Sequence, residues 1–148
     1  MTDNTQTPDG FLEGACLCLA VAYRFALPLT IFQYCHCNRC QTVSGAAHTA
    51  NIFIPSVQFQ WLRGEEKIKI YKLPEAKHFS SCFCQDCGSS MPWQTADGRN
   101  YLVPAGGVND LAERPKQSIF WSSRPNWYVP PLVLPRFDTL PARKKAPD

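Results

Sequence analysis

The eight cysteines of this 148-residue chain lie in three short clusters, and none stands alone. The clusters are Cys16 and Cys18; Cys35, Cys37 and Cys40; and Cys82, Cys84 and Cys87. Two of the spacings, Cys37-x-x-Cys40 and Cys84-x-x-Cys87, are typical of metal knuckles, in which a tight turn brings two sulfurs onto one ion. A chain with this arrangement is constrained to a fold in which cysteines from distant segments meet.

One closed zinc site is predicted from the first and last clusters. In an extended segment residues i and i+2 project to the same side, so Cys16 and Cys18 can bind one ion together. A structural zinc requires four protein ligands, and Cys84 and Cys87 complete the set while joining the first strand to a late one. Gly88 can adopt the positive φ that closes the second knuckle.

The middle cluster predicts a different kind of site. Cys35, Cys37 and Cys40 offer three thiolates and no obvious fourth ligand, which is the pattern of a catalytic zinc with an open position. Cys82 lies two residues before Cys84 and could complete this site, in which case both sites would be structural. It could instead be a packed thiol, as is common for buried cysteine, and we favour that interpretation.

The cellular compartment determines whether these thiols are expected to bind metal or to form disulfides. Residues 1–10 are polar and lack the basic start and apolar stretch of a secretory signal, so we expect a cytoplasmic protein. Cytosolic reductants keep thiols reduced, and metal ligation therefore explains eight cysteines better than disulfides do. Dithiol redox chemistry is a weaker alternative, because a redox C-x-x-C pair normally opens a helix in an α/β pattern that is absent here.

Charge and hydropathy argue against two further classes of protein. The formal net charge is only +3, and the local basic run at residues 143–145 follows the expected domain, so no nucleic-acid partner is expected. No stretch approaches the roughly 18 consecutive apolar residues of a membrane-spanning helix, and we expect no membrane association.

Alternation of apolar and polar residues at period two predicts a mainly β domain. The clearest alternation places apolar residues on one face of two expected strands, Val21, Tyr23 and Phe25 in the first and Val57, Phe59 and Trp61 in the second. Further strands are expected over residues 30–34, 48–54, 67–73, 77–83, 101–103 and 118–121.

Turns and short helical segments connect these strands. Residues 63–65 predict the turn of a hairpin whose second arm is 67–73, and the Asp-Gly pair at 97–98 predicts a tight turn. Helical periodicity is weak throughout, so that only 38–44 and 109–113 are expected to supply a turn or two of helix. The fold class is therefore mainly β with short helical turns.

One domain is expected, because the chain is long enough for a single core and too short for two ordinary ones. The predicted boundaries are a mobile N-terminal tail at 1–10, a zinc-binding domain at 11–134 and a C-terminal tail at 135–148.

Four motifs carry a resemblance to a known family. They are G-x-C-x-C at 14–18, CHC-x-x-C followed by SG at 35–45, FC-x-x-CG at 83–88 and RPNW at 124–127. Their order and spacing resemble the glutathione-dependent formaldehyde-activating enzymes, a family that includes centromere protein V. The resemblance runs from about residue 14 to residue 127. It implies an Mss4-like fold of β-sheets around zinc.

The resemblance also implies a ligand set and an activity. The family's structural zinc corresponds to Cys16, Cys18, Cys84 and Cys87, and its catalytic-type zinc to Cys35, Cys37 and Cys40. Two zinc ions per chain are thus expected. The family's activity is condensation of formaldehyde with glutathione to S-hydroxymethylglutathione, a carbon–sulfur lyase reaction in reverse. The implied partners are a small aldehyde and a thiol such as glutathione. The alternative, from another class, is a non-catalytic zinc-binding module for a protein partner.

Side chains near the second site are further candidates. His48 follows Ser44-Gly45 at the start of an expected strand and is a candidate acid–base group, although a lone histidine is usually a hydrogen-bonded core or surface residue. Arg39 is a candidate to offset the net charge of about −1 that three thiolates leave on Zn²⁺, although an exposed loop arginine is more often simply solvated. His36 should point away from the ion and either support the ligands or lie at the surface. Three tryptophans, Trp93, Trp121 and Trp127, could line a substrate pocket, but we expect most of them to lie in the core.

The chain departs from the family's usual pattern at three positions. Leu19 follows the first C-x-C where glycine is usual, His48 replaces an aromatic or aliphatic residue, and Cys82 occupies a position that is often basic. None of the three is an expected zinc ligand.

Overall fold

The computed structural model describes residues 10–143, which form a mainly β domain as predicted. The strands, numbered in chain order, are β1 Phe11–Ala15, β2 Ala22–Ala26, β3 Ile31–Cys35, β4 Thr49–Pro55, β5 Phe59–Arg63, β6 Ile68–Lys72, β7 Ser80–Cys84, β8 Trp93–Gln94, β9 Asn100–Pro104 and β10 Gln117–Ile119. Helix α1 spans Asn38–Ser44, and 3₁₀ turns occupy Ser56–Gln58, Glu65–Lys67, Ala105–Gly107, Trp121–Ser123 and Pro131–Val133.

The strands form three sheets with mostly antiparallel pairing. The sheets have the orders β1-β2-β5, β10-β3-β4-β9-β8 and β6-β7. Strands β3 and β10 pair in parallel, with Cys35 opposite Ile119. The five-stranded sheet carries most of the candidate functional residues, because β3 leads directly into α1 and β4 follows it.

The core lies between these sheets and is built from the alternation in the sequence. Val21, Tyr23 and Phe25 are fully buried, which confirms the predicted apolar face of β2. Ile52 and Ile54 of β4 are also fully buried, so the side chains that alternate with them must face the other side of the five-stranded sheet.

The predicted hairpin at residues 63–65 is wrong. Strand β5 pairs with β2, and β6 pairs with β7, so the two expected arms belong to different sheets. Gly64 has a φ of 75°, and a Cβ on it would lie 2.1 Å from the Ala20 oxygen. The turn therefore packs against the loop before β2 and directs the chain away. Val57 is also misplaced, because it sits in a 3₁₀ turn and is 95% exposed.

The helix expected over residues 109–113 does not form. The Asn109 N–H instead donates to the Glu13 oxygen of β1 at 2.8 Å, and just past this segment the Lys116 N–H donates to the Phe32 oxygen of β3 at 2.9 Å. The other helix prediction is confirmed by α1, and the tight turn predicted at 97–98 joins β8 to β9 with Gly98 at a φ of 72°.

The two ends of the chain differ in how far they are described. The tail expected over 1–10 lies, apart from Gly10, outside the described residues, as do residues 144–148. Side chains from 129 to 143 are all exposed, including Leu132, Phe137 and Leu140. The boundary between 134 and 135 stays a prediction. No helix in residues 10–143 is both long enough and apolar enough to cross a membrane.

Candidate metal centres and the adjoining cavity

Four cysteine sulfurs from two distant segments of the chain meet at one point. Cys16, Cys18, Cys84 and Cys87, called here the four-cysteine cluster, have all their sulfurs within 4.8 Å of one another. The Cys16 and Cys18 sulfurs are 3.5 Å apart, and those of Cys18 and Cys84 are 3.9 Å apart. A tetrahedral zinc with Zn–S bonds of about 2.3 Å separates its sulfurs by about 3.8 Å, so these residues fit a zinc ion.

Local backbone geometry shapes this cluster. After β7, the Gly88 N–H donates to the Cys84 oxygen at 2.8 Å, and Gly88 adopts a φ of 74°, as the knuckle predicts. In the first loop Leu19 has a φ of 64°, in the left-handed region that favours glycine. This backbone explains why glycine is usual at that position in the family, and it places an exposed leucine under strain. The Val21 N–H donates to the Cys16 sulfur at 3.3 Å.

The electrostatics of the cluster favour thiolates and a bound cation. The Ser89 hydroxyl lies 3.2 Å from the Cys87 sulfur and, with the Ser89 N–H, lowers the pKa of Cys87 to about 6. Although the Ala20 N–H favours its thiolate, the neighbouring Cys16 sulfur raises the pKa of Cys18 to about 12. Sulfurs this close compete for protons, and a divalent cation replaces those protons with one shared positive charge.

A second group of sulfurs comes from one short segment. Cys35 ends β3, Cys37 caps α1 and Cys40 lies in its first turn, and the sulfurs of this three-cysteine cluster lie within 4.8 Å of one another. The Cys40 N–H donates to the Cys37 sulfur at 3.4 Å, the contact that forms the knuckle. The segment is anchored because the His36 N–H donates to the Ile119 oxygen at 3.0 Å.

Two of the three cysteines in the second cluster are buried. Cys35 and Cys40 are 5% and 7% exposed. Burial raises the pKa of both thiols. At Cys37 burial is the largest single influence, but the hydrogen bonds from the Cys40 N–H and from the neighbouring sulfurs together outweigh it and lower the pKa. Such buried sulfurs carry negative charge readily only beside a cation, so the donor set fits a soft divalent metal such as zinc.

Within residues 10–143, no further cysteine, histidine or carboxylate joins the three-cysteine cluster. Cys82 belongs to neither group of sulfurs. It is 4% exposed and packs in the hydrophobic core, and burial raises the pKa of its thiol to about 12. These are the properties of the packed thiol that the sequence favours.

A cavity of about 980 Å³ opens beside the three-cysteine cluster. Its floor is one face of the five-stranded sheet, and its walls come from α1 and from residues 78–82. The two walls approach each other where the Arg39 guanidinium carbon lies 5.9 Å from the centre of the Phe79 ring. Arg39 is exposed at this wall, which is compatible with the charge-balancing position considered for it.

The two candidate histidines lie side by side. His36 is 1% exposed, so the alternative of a surface position is wrong; its ring centre lies 4.9 Å from that of His48. His48 also lines the cavity, and burial together with the charge of His36 lowers its pKa. Neither nitrogen of His36 has a hydrogen-bond partner among the described residues.

An aromatic cluster around His36 was missed by sequence reasoning. Trp121 and Tyr128 place their ring centres 5.1 Å and 5.5 Å from that of His36. The Arg124 guanidinium stacks 4.4 Å from the Trp121 ring centre and donates to the Trp121 oxygen. The RPNW motif at 124–127 was the signal that could have located this cluster.

The tryptophans do not mostly fill the core. Trp121 is 46% exposed and Trp127 is 66% exposed, because both follow the last strand. Trp93 is half-buried, packs against the core and lines the cavity. The expected pocket role therefore applies to Trp93.

Comparisons with known proteins agree with this architecture. The model of the GFA family, glutathione-dependent formaldehyde-activating enzyme, matches residues 11–123. The chain belongs to this family. A crystal structure of a Rhodobacter sphaeroides protein is similar in fold, with a TM-score of 0.56 and 20% identity, over 70% of this chain and 97% of that one. Among curated proteins, none matches the chain.

Proposed function

We propose that this chain is a zinc-dependent carbon–sulfur lyase-type enzyme that acts on adducts of a small aldehyde and a thiol such as glutathione. The observation that carries the proposal is the meeting of three cysteine sulfurs beside a large cavity, with no fourth ligand in residues 10–143. Three protein ligands and one open position are the usual arrangement of a catalytic zinc. Family membership supports the same reaction class.

The reaction is a reversible addition without a redox step. The thiol sulfur bonds to the carbonyl carbon, the carbonyl π bond opens, and the thiol proton ends on the new hydroxyl oxygen. A zinc ion held by Cys35, Cys37 and Cys40 would supply a position at which a thiol loses its proton and a carbonyl is polarised. The reverse direction breaks the same carbon–sulfur bond.

Two side chains of the cavity would assist this addition. His48 lines the cavity, and its lowered pKa leaves a neutral imidazole that can accept the thiol proton and return it to the oxygen. Arg39 lies on the neighbouring wall and would offset the negative charge of three thiolates. The four-cysteine cluster would hold a second zinc that crosslinks the ends of β1 and β7 and has a structural role.

The test measures zinc content and thiol–aldehyde exchange in wild type and in Cys40→Ser. We expect two zinc ions in the wild type and one in Cys40→Ser, with exchange between formaldehyde and glutathione lost in the variant, as followed by NMR exchange spectroscopy. Cys82→Ala is the matched control, because it removes a buried thiol beside the cavity that belongs to neither cluster. It should keep both metals and the exchange.

One observation favours a second candidate, the non-catalytic module for a protein partner. Apolar side chains after Tyr128 are exposed, among them Leu132, Val133 and Phe137. If Cys40→Ser loses one zinc but exchange stays at the uncatalysed rate in both proteins, the catalytic proposal fails and the module is favoured.

A further inference from the structure

The side chains of the cavity floor form successive rows, of which the first begins at the three-cysteine cluster. Strand pairing places Cys35 opposite Thr49, and the next residues on the same face are Gln33 and Asn51, which lie opposite each other. Two residues further, Phe53 begins a third row. At about 3.3 Å per residue, this third row lies about 13 Å along the strands from Cys35.

The third row is apolar across three strands. Phe53 lies opposite Leu102, and Leu102 lies opposite Trp93, and all three line the cavity. We call these residues the apolar row. Because neighbouring strands are about 4.8 Å apart, the row presents a continuous hydrocarbon surface about 10 Å wide.

The middle row presents amide groups. Asn51 is 9% exposed, lines the cavity, and its side-chain amide makes no hydrogen bond to any residue in 10–143. Gln33 is 8% exposed and accepts a hydrogen bond from the Gln117 amide at 2.6 Å. The Asn51 amide is not among the buried polar atoms that lack a partner, so it is open to the cavity, where a ligand can donate or accept a hydrogen bond.

Charge is confined to other parts of the cavity. Among the described lining residues, the basic side chains are Arg39, His48 and His78, and Asp97 is the carboxylate. None belongs to the apolar row. A carboxylate or ammonium group placed on that row would lose its hydration without gaining a partner.

We propose that the thiol substrate carries an amide a few atoms from its sulfur and an uncharged hydrocarbon group beyond that amide. Its sulfur lies at the three-cysteine cluster, its amide meets Asn51, and its hydrocarbon covers the apolar row. This inference rests on the proposed function for the position of the sulfur. The inference implies that glutathione binds this floor more weakly, because its two carboxylates would lose hydration there.

The test compares three thiols of the same reactivity class for binding to the full zinc-loaded chain. N-octanoylcysteamine has the amide and the hydrocarbon, N-acetylcysteamine has the amide alone, and glutathione is charged. Isothermal titration calorimetry should show N-octanoylcysteamine binding at least tenfold more tightly than either, since several CH₂ groups are buried. N-ethyloctanamide, which has no sulfur, should bind more weakly than N-octanoylcysteamine.

Variants of the cavity floor test whether the apolar row causes the preference for the octanoyl thiol. Phe53→Ala should reduce the ratio of affinities for the octanoyl and acetyl thiols several-fold, and Leu102→Ala should do the same if Phe53→Ala folds poorly. Asn51→Leu should weaken both thiols while keeping their ratio. Tyr71→Ala is the control, because Tyr71 is an exposed strand aromatic that does not line the cavity. It should change neither affinity.

The outcomes separate this inference from the proposed function. Glutathione binding as tightly as N-octanoylcysteamine, or a ratio that Phe53→Ala and Leu102→Ala leave unchanged, overturns the inference even if condensation with formaldehyde is observed. The expected binding order with no condensation of any thiol overturns the lyase proposal and leaves the thiol class supported.

Discussion

The two cysteine clusters use the same residue type and the same knuckle spacing, yet they relate differently to the fold. The four-cysteine cluster joins the loop after β1 to the turn after β7, whereas the three-cysteine cluster comes entirely from residues 35–40. A crosslink between distant segments opposes unfolding, while a local one constrains only its own turn. From this difference we expect the fold to depend on the four-cysteine cluster, and we propose the chemistry at the three-cysteine cluster.

Exposure to the cavity reinforces this contrast. The three-cysteine cluster lies in the cavity wall beside His48, while none of the four-cysteine cluster lines the cavity. A fully ligated zinc has no position for a substrate, and a three-ligand zinc does. Three measurements test this difference between the two clusters.

Removing a sulfur from each cluster should have the largest and most unequal effect. Cys84→Ser should lower the free energy of unfolding by more than about 4 kcal/mol, because loss of the metal crosslink is among the most destabilising changes. Cys40→Ser should lower it by about 1–2 kcal/mol, since its cluster is local. Thermal unfolding followed by circular dichroism measures both. Equal losses would remove the distinction between a structural and a catalytic site.

Acid should release the two metals in sequence. Each cluster holds at least one thiol of raised and one of lowered pKa, Cys40 and Cys37 in the three-cysteine cluster and Cys18 and Cys87 in the four-cysteine cluster, so the number of ligands decides the order. Protons compete with the metal for each sulfur, and the three-cysteine cluster has one ligand fewer.

As the pH falls, zinc should therefore leave the three-cysteine cluster first, by about one pH unit. A chromogenic chelator measures the released zinc, and Cys40→Ser should lack the first step. A single step at one pH, or a first step that survives in Cys40→Ser, would contradict this order.

A substitution to glycine beside the four-cysteine cluster should give the smallest effect, and it tests backbone strain at that cluster alone. Both clusters have a residue of positive φ nearby, Gly45 after α1 and Leu19 beside Cys18. Leu19→Gly should raise the free energy of unfolding by about 0.5–1 kcal/mol, because it relieves left-handed strain at some entropic cost.

Chemical denaturation measures this gain, and Leu17→Gly is the control. Leu17 is also an exposed leucine, at 85% against 63% for Leu19, but it is not among the residues of positive φ. That variant should destabilise the chain by about 0.5–1 kcal/mol, since glycine adds only entropy to the unfolded state. The same sign of change in both variants would show that Leu19 is not strained.

Local patterns in the sequence predicted the local parts of the structure. Alternation identified the buried face at Val21, Tyr23 and Phe25, and helix α1 lies where weak periodicity indicated a short helix. The cysteine spacing grouped the sulfurs that the structure brings within 4.8 Å. These features depend on neighbours a few residues apart, so the order of amino acids alone carries them.

Pairing between strands was not accessible in the same way. Residues 67–73 alternate well enough to be a strand, but nothing in that alternation chose β7 over β5 as its partner. The choice depends on Gly64 packing against Ala20, a contact between distant residues. The same holds for residues 109–113, where the Asn109 N–H donates to the distant Glu13 oxygen and no helix forms.

The sequence by itself determined that the chain is a mainly β domain, which sulfurs group together, and that one group has three members. Only the tertiary structure decided that this group opens onto a cavity, that His36 and His48 lie side by side, and that Phe53, Leu102 and Trp93 form one row. The physical reason is that a cavity is the space between segments. Its shape depends on how several strands pack together, and no single stretch of sequence specifies that packing.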